Sequence, residues 1–472
     1  MDAFTSENRL KRPPVAPRQR SQLEAFLVLR RNTLELWGKA AYEDEVLVGR
    51  FFGRAQMMVN APDGIRHVLV VNHENYRRHT ATHRVLQPLL GNGLFLAEGQ
   101  AWKHQRRTIA PAMAPRMMGV LARHVASAAE DTEATLARTH GIVQLLPLLQ
   151  NLALRIAAQS MFSLEADAFG RAMREKLLDY GLRLARPGIW DLVLPRTLAS
   201  PLDRTRAAFR HGWLALIDRI IDERERRPPA EGQPRDLFDM LSAARDPQTG
   251  QGFDRAQLRD EVSTMIIAGH ETTAVTLFWA CYVAATLPEW QNRLAAEVAD
   301  TDLSAEHAAQ SLPRLVWTRA FIDEVLRLYP PAFLISRVAR NADEICGRHV
   351  APGTVINIAP WVLHRHHRRW ETPDMFDPSR FSPSNPSPPR YAYLPFGAGP
   401  RVCVGAQFAL TEAVLVLARL LQRFEIHHVG PNTVVPRGYV TTQPDRPVRF
   451  MISPRIRTPT GKGVTETPQT RS

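Results

Sequence analysis

Residues 396–405 read Phe396-Gly-Ala-Gly-Pro-Arg-Val-Cys-Val-Gly405, and this stretch decides how the chain is read. Glycines at 397, 399 and 405 flank a single cysteine, and Arg401 stands two residues before it. Small residues let a backbone approach a flat ligand, and turn-like backbone can aim N–H groups at the Cys403 sulfur. Such donors, with Arg401 and the positive end of a helix beginning just after Cys403, would stabilise a thiolate. A lone cysteine is more often buried and inert. That plain reading suits Cys281, inside an apolar helix, and Cys346, in a turn beside Gly347. The setting of Cys403 argues the other way.

Around this loop lie 472 residues, 44% hydrophobic and 23% charged. That is a soluble globular composition, which excludes a disordered chain, a collagen and a disulfide-stapled mini-protein. Three scattered cysteines cannot frame disulfides and fit a reducing compartment. The net charge of +13 admits nucleic acid, an anionic membrane or an acidic protein as partner. No basic helix carries interleaved aromatics and no zinc-finger spacing occurs, so the reading is no nucleic acid. Part of the excess sits in residues 1–20, with Arg9, Lys11, Arg12, Arg18 and Arg20. More sits in residues 454–472, with Arg455, Arg457, Lys462 and Arg471. Both segments read as disordered. The N-terminus has no apolar stretch, and the C-terminus has no lipidation box. Val262–Leu287 is long enough to span a membrane, but His270 and Glu271 at its middle would be costly in lipid. It reads as the buried central helix of a protein without a transmembrane anchor.

Gln22–Tyr42 reads as an amphipathic helix. Glu45–Phe52 and Arg54–Val59 read as a hairpin about Gly53, and Asn60 as the cap of a helix near Pro62. From Ala101 to Ala285 nearly every segment has helical spacing, with a surface loop at Arg226–Asp236. Helices continue to Tyr329, where Pro330 and Pro331 stop them. A strand follows at Gly353–Ala359, then a Pro/Ser loop at Ser382–Arg390, then a helix from just after Cys403 to about Phe424. No repeat or linker divides the chain, which gives one helix-rich domain, 21–453, with minor sheets.

A second motif, Ala268-Gly-His-Glu-Thr-Thr273, lies inside the apolar helix. Glycine there costs about 1 kcal/mol against alanine. Gly269, Thr272 and Thr273 together allow a kink, and place a hydroxyl and a carboxylate in an apolar wall. The plain alternative is back-bonded threonines and a solvated Glu271. A zinc-protease reading fails, because Ala274 stands where a histidine is required. A third motif, Glu324-Val-Leu-Arg327, can pair along a helix, although surface pairs of this kind are common and weak. His364, His366 and His367 read as solvated residues of a basic loop.

The cysteine segment closely resembles the haem-binding loop of the cytochrome P450 family, Phe-x-x-Gly-x-Arg-x-Cys-x-Gly, at Phe396, Gly399, Arg401, Cys403 and Gly405. Ala268–Thr273 resembles that family's oxygen-activation motif, and Glu324–Arg327 its Glu-x-x-Arg helix. Trp370–Phe381 resembles its Pro-x-Arg-Phe segment, with Ser379 where Glu is commoner. Trp102 and Arg106 match its Trp-x-x-x-Arg helix. The resemblance spans about Ala61 to Ile452. It implies a mainly α fold with minor β-sheets, holding haem b between a long central helix and the cysteine loop. Cys403 would be the proximal thiolate, with Phe396 beside the sulfur and Gly405 among the haem-binding residues. Arg106, Arg337 and Arg401, with Trp102, would hold the haem propionates. Gly269 would lie over the haem, with Glu271 and Thr272 relaying protons. Glu324, Arg327 and Arg380 would form a buried structural cluster.

The activity implied is monooxygenation: one atom of O2 enters an apolar substrate in a cytoplasmic enzyme. No reductase domain follows the last strands, so a separate ferredoxin, flavodoxin or reductase would supply electrons. A haem peroxygenase is the nearest rival, disfavoured by Thr272. A non-catalytic haem-binding or gas-sensing protein is disfavoured by the intact proton motif and the lack of an output domain. Expected pocket walls are Arg84–Leu96, Ile266, Ile267, Ala332–Ile335, Thr441 and Thr442, suited to a fatty-acid, terpenoid or steroid-like molecule. The run Lys103, Arg106, Arg107 suggests an acidic donor docking on the Cys403 side.

Overall fold

Asp254 starts the longest helix. Its side chain accepts from the Gln257 N–H, and the Gln257 side chain accepts from the Asp254 N–H, a reciprocal cap. The helix then runs unbroken from Arg255 to Thr286. The structure is a computed structural model that describes residues 10–456 apart from 17–19, 115–116, 140, 164–169, 196, 228–234 and 432. Most of this central helix is buried, and Phe278, Trp279, Ala280 and Cys281 have no exposed surface. An all-round apolar helix has to be enclosed in this way. Two helices enclose it, Leu145–Phe162 and the cysteine helix Ala406–Arg423, and Met118–Arg138 packs on both of those. One apolar core runs from Leu10 to Ile452. Among the described residues no helix is long and apolar enough to cross a membrane.

Small sheets flank the helices. The largest has five strands in the order Val46–Phe51, Arg54–Val59, Val355–Ile358, Ile335–Ala339, Tyr76–Arg78. The first two form the expected hairpin, turning through Phe52 and Gly53, both at positive φ. Arg54–Val59 pairs parallel with Val355–Ile358, and Tyr76–Arg78 pairs antiparallel with Ile335–Ala339. That last register sets Arg78 opposite Arg337. A smaller sheet orders Ile142–Val143, Arg449–Pro454 and Phe424–Val429.

Several local expectations change. The helix expected over Gln22–Tyr42 stops at Arg31. Asn32 ends it: Oδ1 accepts from Leu34 N and Gly438 N, and Nδ2 donates to Pro436 O at 3.1 Å. Side-chain bonds of this kind compete with the helical ladder. Asn60 is not the helix cap; Ala61 holds that place, with Pro62 in the first turn. The Asn60 amide donates instead to Ala41 O and Asp44 O, both at 2.9 Å. Within the segment read as a disordered N-terminus, residues 10–16 pack on the body. Leu10 and Ala16 are buried, Ala16 bridges to Gly38, and Arg12 pairs with Asp374 at 3.1 Å. At the other end the last strand reaches Pro454, and Arg455 N donates to Arg423 O. The rest of both tails, and most of the loop 226–236, lie outside the described residues; Asp236 is buried where it caps the next helix.

The reading of the histidines is corrected too. His364 and His366 are fully buried, and only His367 is exposed. His364 Nε2 accepts from Leu394 N at 2.8 Å, so Nδ1 carries the proton and donates to Arg327 O at 3.1 Å. Burial pushes its pKa down to about 3. A folded-state pKa below the unfolded one means that stability from this site is whole above about 6.5 and lost as pH falls toward 3. Urea unfolding of the parent and of His364→Gln should therefore show a gap that narrows as pH falls from 6.5 to 4. A gap that holds constant or widens contradicts the buried neutral imidazole.

Candidate active site

The cysteine loop folds back on itself. Cys403 N donates to Phe396 O at 2.9 Å, and Val402 N donates to Gly399 O at 3.0 Å. Gly397 and Gly399 both sit at positive φ. A Cβ on Gly399 would lie 2.0 Å from Leu69 O, so this glycine serves chain packing rather than approach to a ligand. A Cβ on Gly405 or Gly269 would meet nothing within 4 Å. Cys403, Phe396, Gly405 and Gly269 all line one cavity of about 740 Å³ between the loop and the central helix. The exposed surface of Cys403 faces this cavity. Burial raises the thiol pKa, while the Gly405 N–H and the Arg106 charge pull it down. Arg401, expected to act on the sulfur, instead donates to Ala97 O and lies 4.5 Å over the Trp102 ring. Arg106 is the guanidinium nearest in effect, and it donates to Val402 O at 2.9 Å.

Four arginines, Arg78, Arg106, Arg337 and Arg401, line the same cavity. Among the described residues Glu98 is the carboxylate whose charge reaches three of them. Arg78 and Arg337 face each other across paired strands, where like charges repel. Burial, then repulsion from Arg401, lowers the Arg337 pKa to about 10. Burial, then the charges of Arg337 and Arg401, also lower the Arg78 pKa well below its ordinary value. Its guanidinium lies 4.0 Å from the Phe95 ring centroid, and its Nε is buried with no partner. Such a wall suits a ligand with two carboxylates, because planar guanidinium forks pair with them bidentately. The two haem propionates meet that requirement, and the iron would take the cavity-facing Cys403 sulfur as a thiolate ligand.

Opposite the cysteine loop, Glu271 and Thr272 also line the cavity. Gln150 Nε2 donates to Glu271 Oε2 at 3.1 Å and Gln443 Nε2 to Oε1 at 2.5 Å. Burial raises the Glu271 pKa. The helix shows no break at Gly269, and the Thr272 hydroxyl donates to Ala268 O at 2.6 Å. Both readings of the motif thus hold in part: the threonine is back-bonded, and it faces the cavity beside a carboxyl. Of the expected pocket walls, Val85, Leu86, Leu90, Leu94, Phe95, Ile267, Ala332–Ile335 and Thr441 line it. Arg84, the other residues of Arg84–Leu96, Ile266 and Thr442 do not. Arg84 donates to Pro195 O, Ile266 is buried away from the cavity, and Thr442 donates to Pro330 O.

Behind the loop, Glu324 and Arg327 are fully buried and joined by two bonds of 2.6 and 2.7 Å. Arg327 also donates to His364 O, Pro373 O and Met375 O, each at 2.7–2.8 Å. Glu324 Oε1 accepts from Asp377 N, and Arg380 Nε lies 3.7 Å from it.

The sequence profile described as Cytochrome P450 matches residues 41–448. The chain belongs to the cytochrome P450 family. It is 31% identical over 467 residues to cyclooctat-9-en-7-ol 5-monooxygenase of Streptomyces melanosporofaciens, covering 94% of this chain and 97% of that one. It is 28% identical to the protein LUTEIN DEFICIENT 5, chloroplastic, of Arabidopsis thaliana, over 89% of this chain and 71% of that one. Its fold matches the crystal structure of the cytochrome P450DA heme domain with a TM-score of 0.76 at 23% identity, covering 95% and 98% of the two chains. The chain is thus a haem-dependent monooxygenase of this family.

Two residues of the P450 cavity escaped the sequence reading. Arg78 lay in an unremarkable run, Tyr-Arg-Arg-His, and only its strand register reveals it. Glu412 is a buried carboxyl on the cysteine helix beside the Thr273 hydroxyl, with its pKa raised well above normal by burial. An acid inside the apolar run Phe408–Leu421 was the available signal. One expectation, an acidic donor docking on the Cys403 side, keeps the net charge of +13 but loses the basic run as its basis. Lys103 is paired with Glu74 at 2.7 Å and Arg107 with Asp246 at 2.7 Å, while Arg106 faces the cavity. The run Lys103–Arg107 is therefore neutralised locally and gives no free basic patch. For the cradle we expect Arg78→Leu to speed haem loss to apomyoglobin roughly tenfold, the worth of one charged hydrogen bond. An unchanged rate of haem transfer contradicts a propionate role for Arg78.

Proposed function

We propose that the enzyme binds haem b through Cys403, with its propionates on Arg78, Arg106, Arg337 and Arg401, and that Glu271 and Thr272 handle the protons. We further propose a single catalytic unit over 21–453, a separate electron-donor protein, an apolar substrate and a cytoplasmic setting. One observation carries the reading: the Cys403 sulfur and the Glu271–Thr272 pair face one cavity whose remaining wall is mostly apolar. Thiolate-ligated haem, when bound, supplies the activation of O2.

The chain supplies the rest. Gln150 and Gln443 fix the Glu271 carboxyl, and burial raises its proton affinity, so that it can hold a proton for delivery. Thr272 Oγ1 now donates to Ala268 O, and a rotation about its side-chain bond turns that hydroxyl into the cavity to order a water or receive the proton. Leu90, Ala268 and Leu334 give the cavity an apolar lining that would disfavour bulk water along this path. Two protons and two electrons are needed for each turnover; one oxygen atom enters a C–H bond and the other leaves as water. The relative named for cyclooctat-9-en-7-ol oxidation favours an apolar substrate. Free cysteines throughout favour a reducing compartment.

Thr272→Ala should leave haem and substrate binding intact and let NAD(P)H consumption continue through a redox partner. Organic product should fall and hydrogen peroxide rise, because the proton is no longer directed. Glu271→Ala should slow turnover instead. Full product yield per NAD(P)H in Thr272→Ala would sink the relay at this residue.

A further inference from the structure

A chain of neutral polar side chains crosses the sheet side of the cavity. Its members come from three neighbouring strands of the five-stranded sheet: Ser336 from Ile335–Ala339, Asn357 from Val355–Ile358 and Gln56 from Arg54–Val59. All three line the cavity. Ser336 stands opposite Asn357 in the antiparallel pair, and Gln56 pairs with Val355, two residues from Asn357 and therefore on the same face. Ser336 Oγ donates to Asn357 Oδ1 at 2.6 Å, and Asn357 Nδ2 donates to Gln56 Oε1 at 3.1 Å. Both bonds run in one direction. The chain ends on the Gln56 amide, whose Nε2 hydrogens have no partner among the described residues.

His79 adds a second donor. It also lines the cavity, and its pKa is pushed down to about 4 by burial and then by the charge of Arg54, two residues before Gln56 on the same strand face. The ring is therefore neutral at neutral pH. Its Nδ1 accepts from Ala81 N at 3.1 Å, so the proton sits on Nε2, which has no partner among the described residues. Arg54 itself is engaged with Val193 O at 2.9 Å. The side-chain oxygens of Asn357 and Gln56 are already taken within the chain, so the free groups of Gln56 and His79 are N–H donors. Around them the wall is apolar, with Leu36, Phe51, Leu86 and Val355. A pure hydrocarbon would strip water from the amide and the imidazole and return nothing. A carboxylate would trade its hydration for neutral donors, which is costlier than burying a carbonyl against them.

We propose that Gln56 and His79, with Asn357 holding the Gln56 amide in place, form a subsite for a neutral carbonyl oxygen, and that the substrate is an apolar carbon skeleton already bearing a ketone. This rests on the monooxygenase reading above and adds the substrate class. Ser336 precedes Arg337 of the arginine wall, and Gln56 lies two strands further across the sheet, about 10 Å at the usual strand spacing. The carbon that is oxidised is therefore remote from the carbonyl. Gln56 is the specificity-determining residue and Asn357 the positioning residue behind it. The enzyme then acts after a reaction that leaves a carbonyl on the skeleton.

The test uses haem-loaded enzyme with matched methyl ketones and terminal alkenes of about ten to sixteen carbons, long enough to span that distance. Binding is read from the Soret shift and, independently, from equilibrium dialysis. An apolar cavity alone favours the alkene, the more hydrophobic of each pair. We expect the ketone instead to bind roughly fivefold more tightly in the parent, the worth of one net hydrogen bond. In Gln56→Leu that preference should vanish, and in Asn357→Ala it should weaken. Gln56→Glu above neutral pH keeps the acceptor for Asn357 but replaces the donor with an anion, so it should reverse the preference. A ketone-to-alkene ratio that is the same in the parent and Gln56→Leu overturns the proposal, as does a parent that prefers the alkene or binds no ketone. Matched carboxylic acids that outbind the ketones overturn the neutral subsite too. The ferrous–CO spectrum of each variant is recorded alongside. A normal thiolate spectrum with no ketone preference sinks the subsite alone, and an abnormal one in the parent sinks the haem reading beneath it.

Discussion

The buried pair Glu324–Arg327 fixes the ground on which the site is built. Neither partner touches water, and breaking such a pair leaves a stranded charge at a cost of about 3–5 kcal/mol. Its remaining bonds go to the backbone at His364, Pro373, Met375 and Asp377. His364 passes the restraint on: one ring nitrogen takes the Arg327 carbonyl and the other the Leu394 N–H, two residues before Phe396. The loop that carries Cys403 is thus tied through one imidazole to an ion pair that cannot move without exposing charge.

On that frame stand two incomplete chemistries. One is a thiol at the cavity wall, raised in pKa by its surroundings, with Arg106 and the Gly405 N–H favouring its anion. The other is a wall of four guanidiniums, two of them opposed across a strand pair, with Glu98 among the described residues to answer three of them. Each alone is unfavourable. A single ligand bearing a metal cation at its centre and two carboxylates at its edge satisfies both at once. The central helix closes the opposite side with Glu271 and Thr272 and otherwise apolar residues, so the same ligand would lie where protons can reach it and water cannot.

The large features were legible because they are repetitive or chemically conspicuous. The apolar run Val262–Leu287 had to be a buried helix, and the glycines around Cys403 had to make a tight loop. Legibility failed where a residue's role depends on a distant partner. Asn32 ends its helix by bonding to Pro436 and Gly438, some four hundred residues later. His364 looked solvated because its neighbours are basic, yet its partners are Arg327 and Leu394. Arg78 owes its place to pairing with Ile335–Ala339, and Lys103 and Arg107 lose their charge to Glu74 and Asp246. None of these partners is near in sequence.

The account stands most directly on Cys403 as the ligand to haem iron. The measurement is the Soret band of the ferrous–CO complex in the parent and in Cys403→Ala, Cys281→Ala and Cys346→Ala. Cys281 is buried in the central helix, and Cys346 lies in a surface turn away from the cavity. The account predicts the red-shifted band of a thiolate-bound haem in the parent and in the Cys281 and Cys346 variants, and its loss in Cys403→Ala alone. A band that persists in Cys403→Ala, or that vanishes with Cys281 or Cys346, would contradict it.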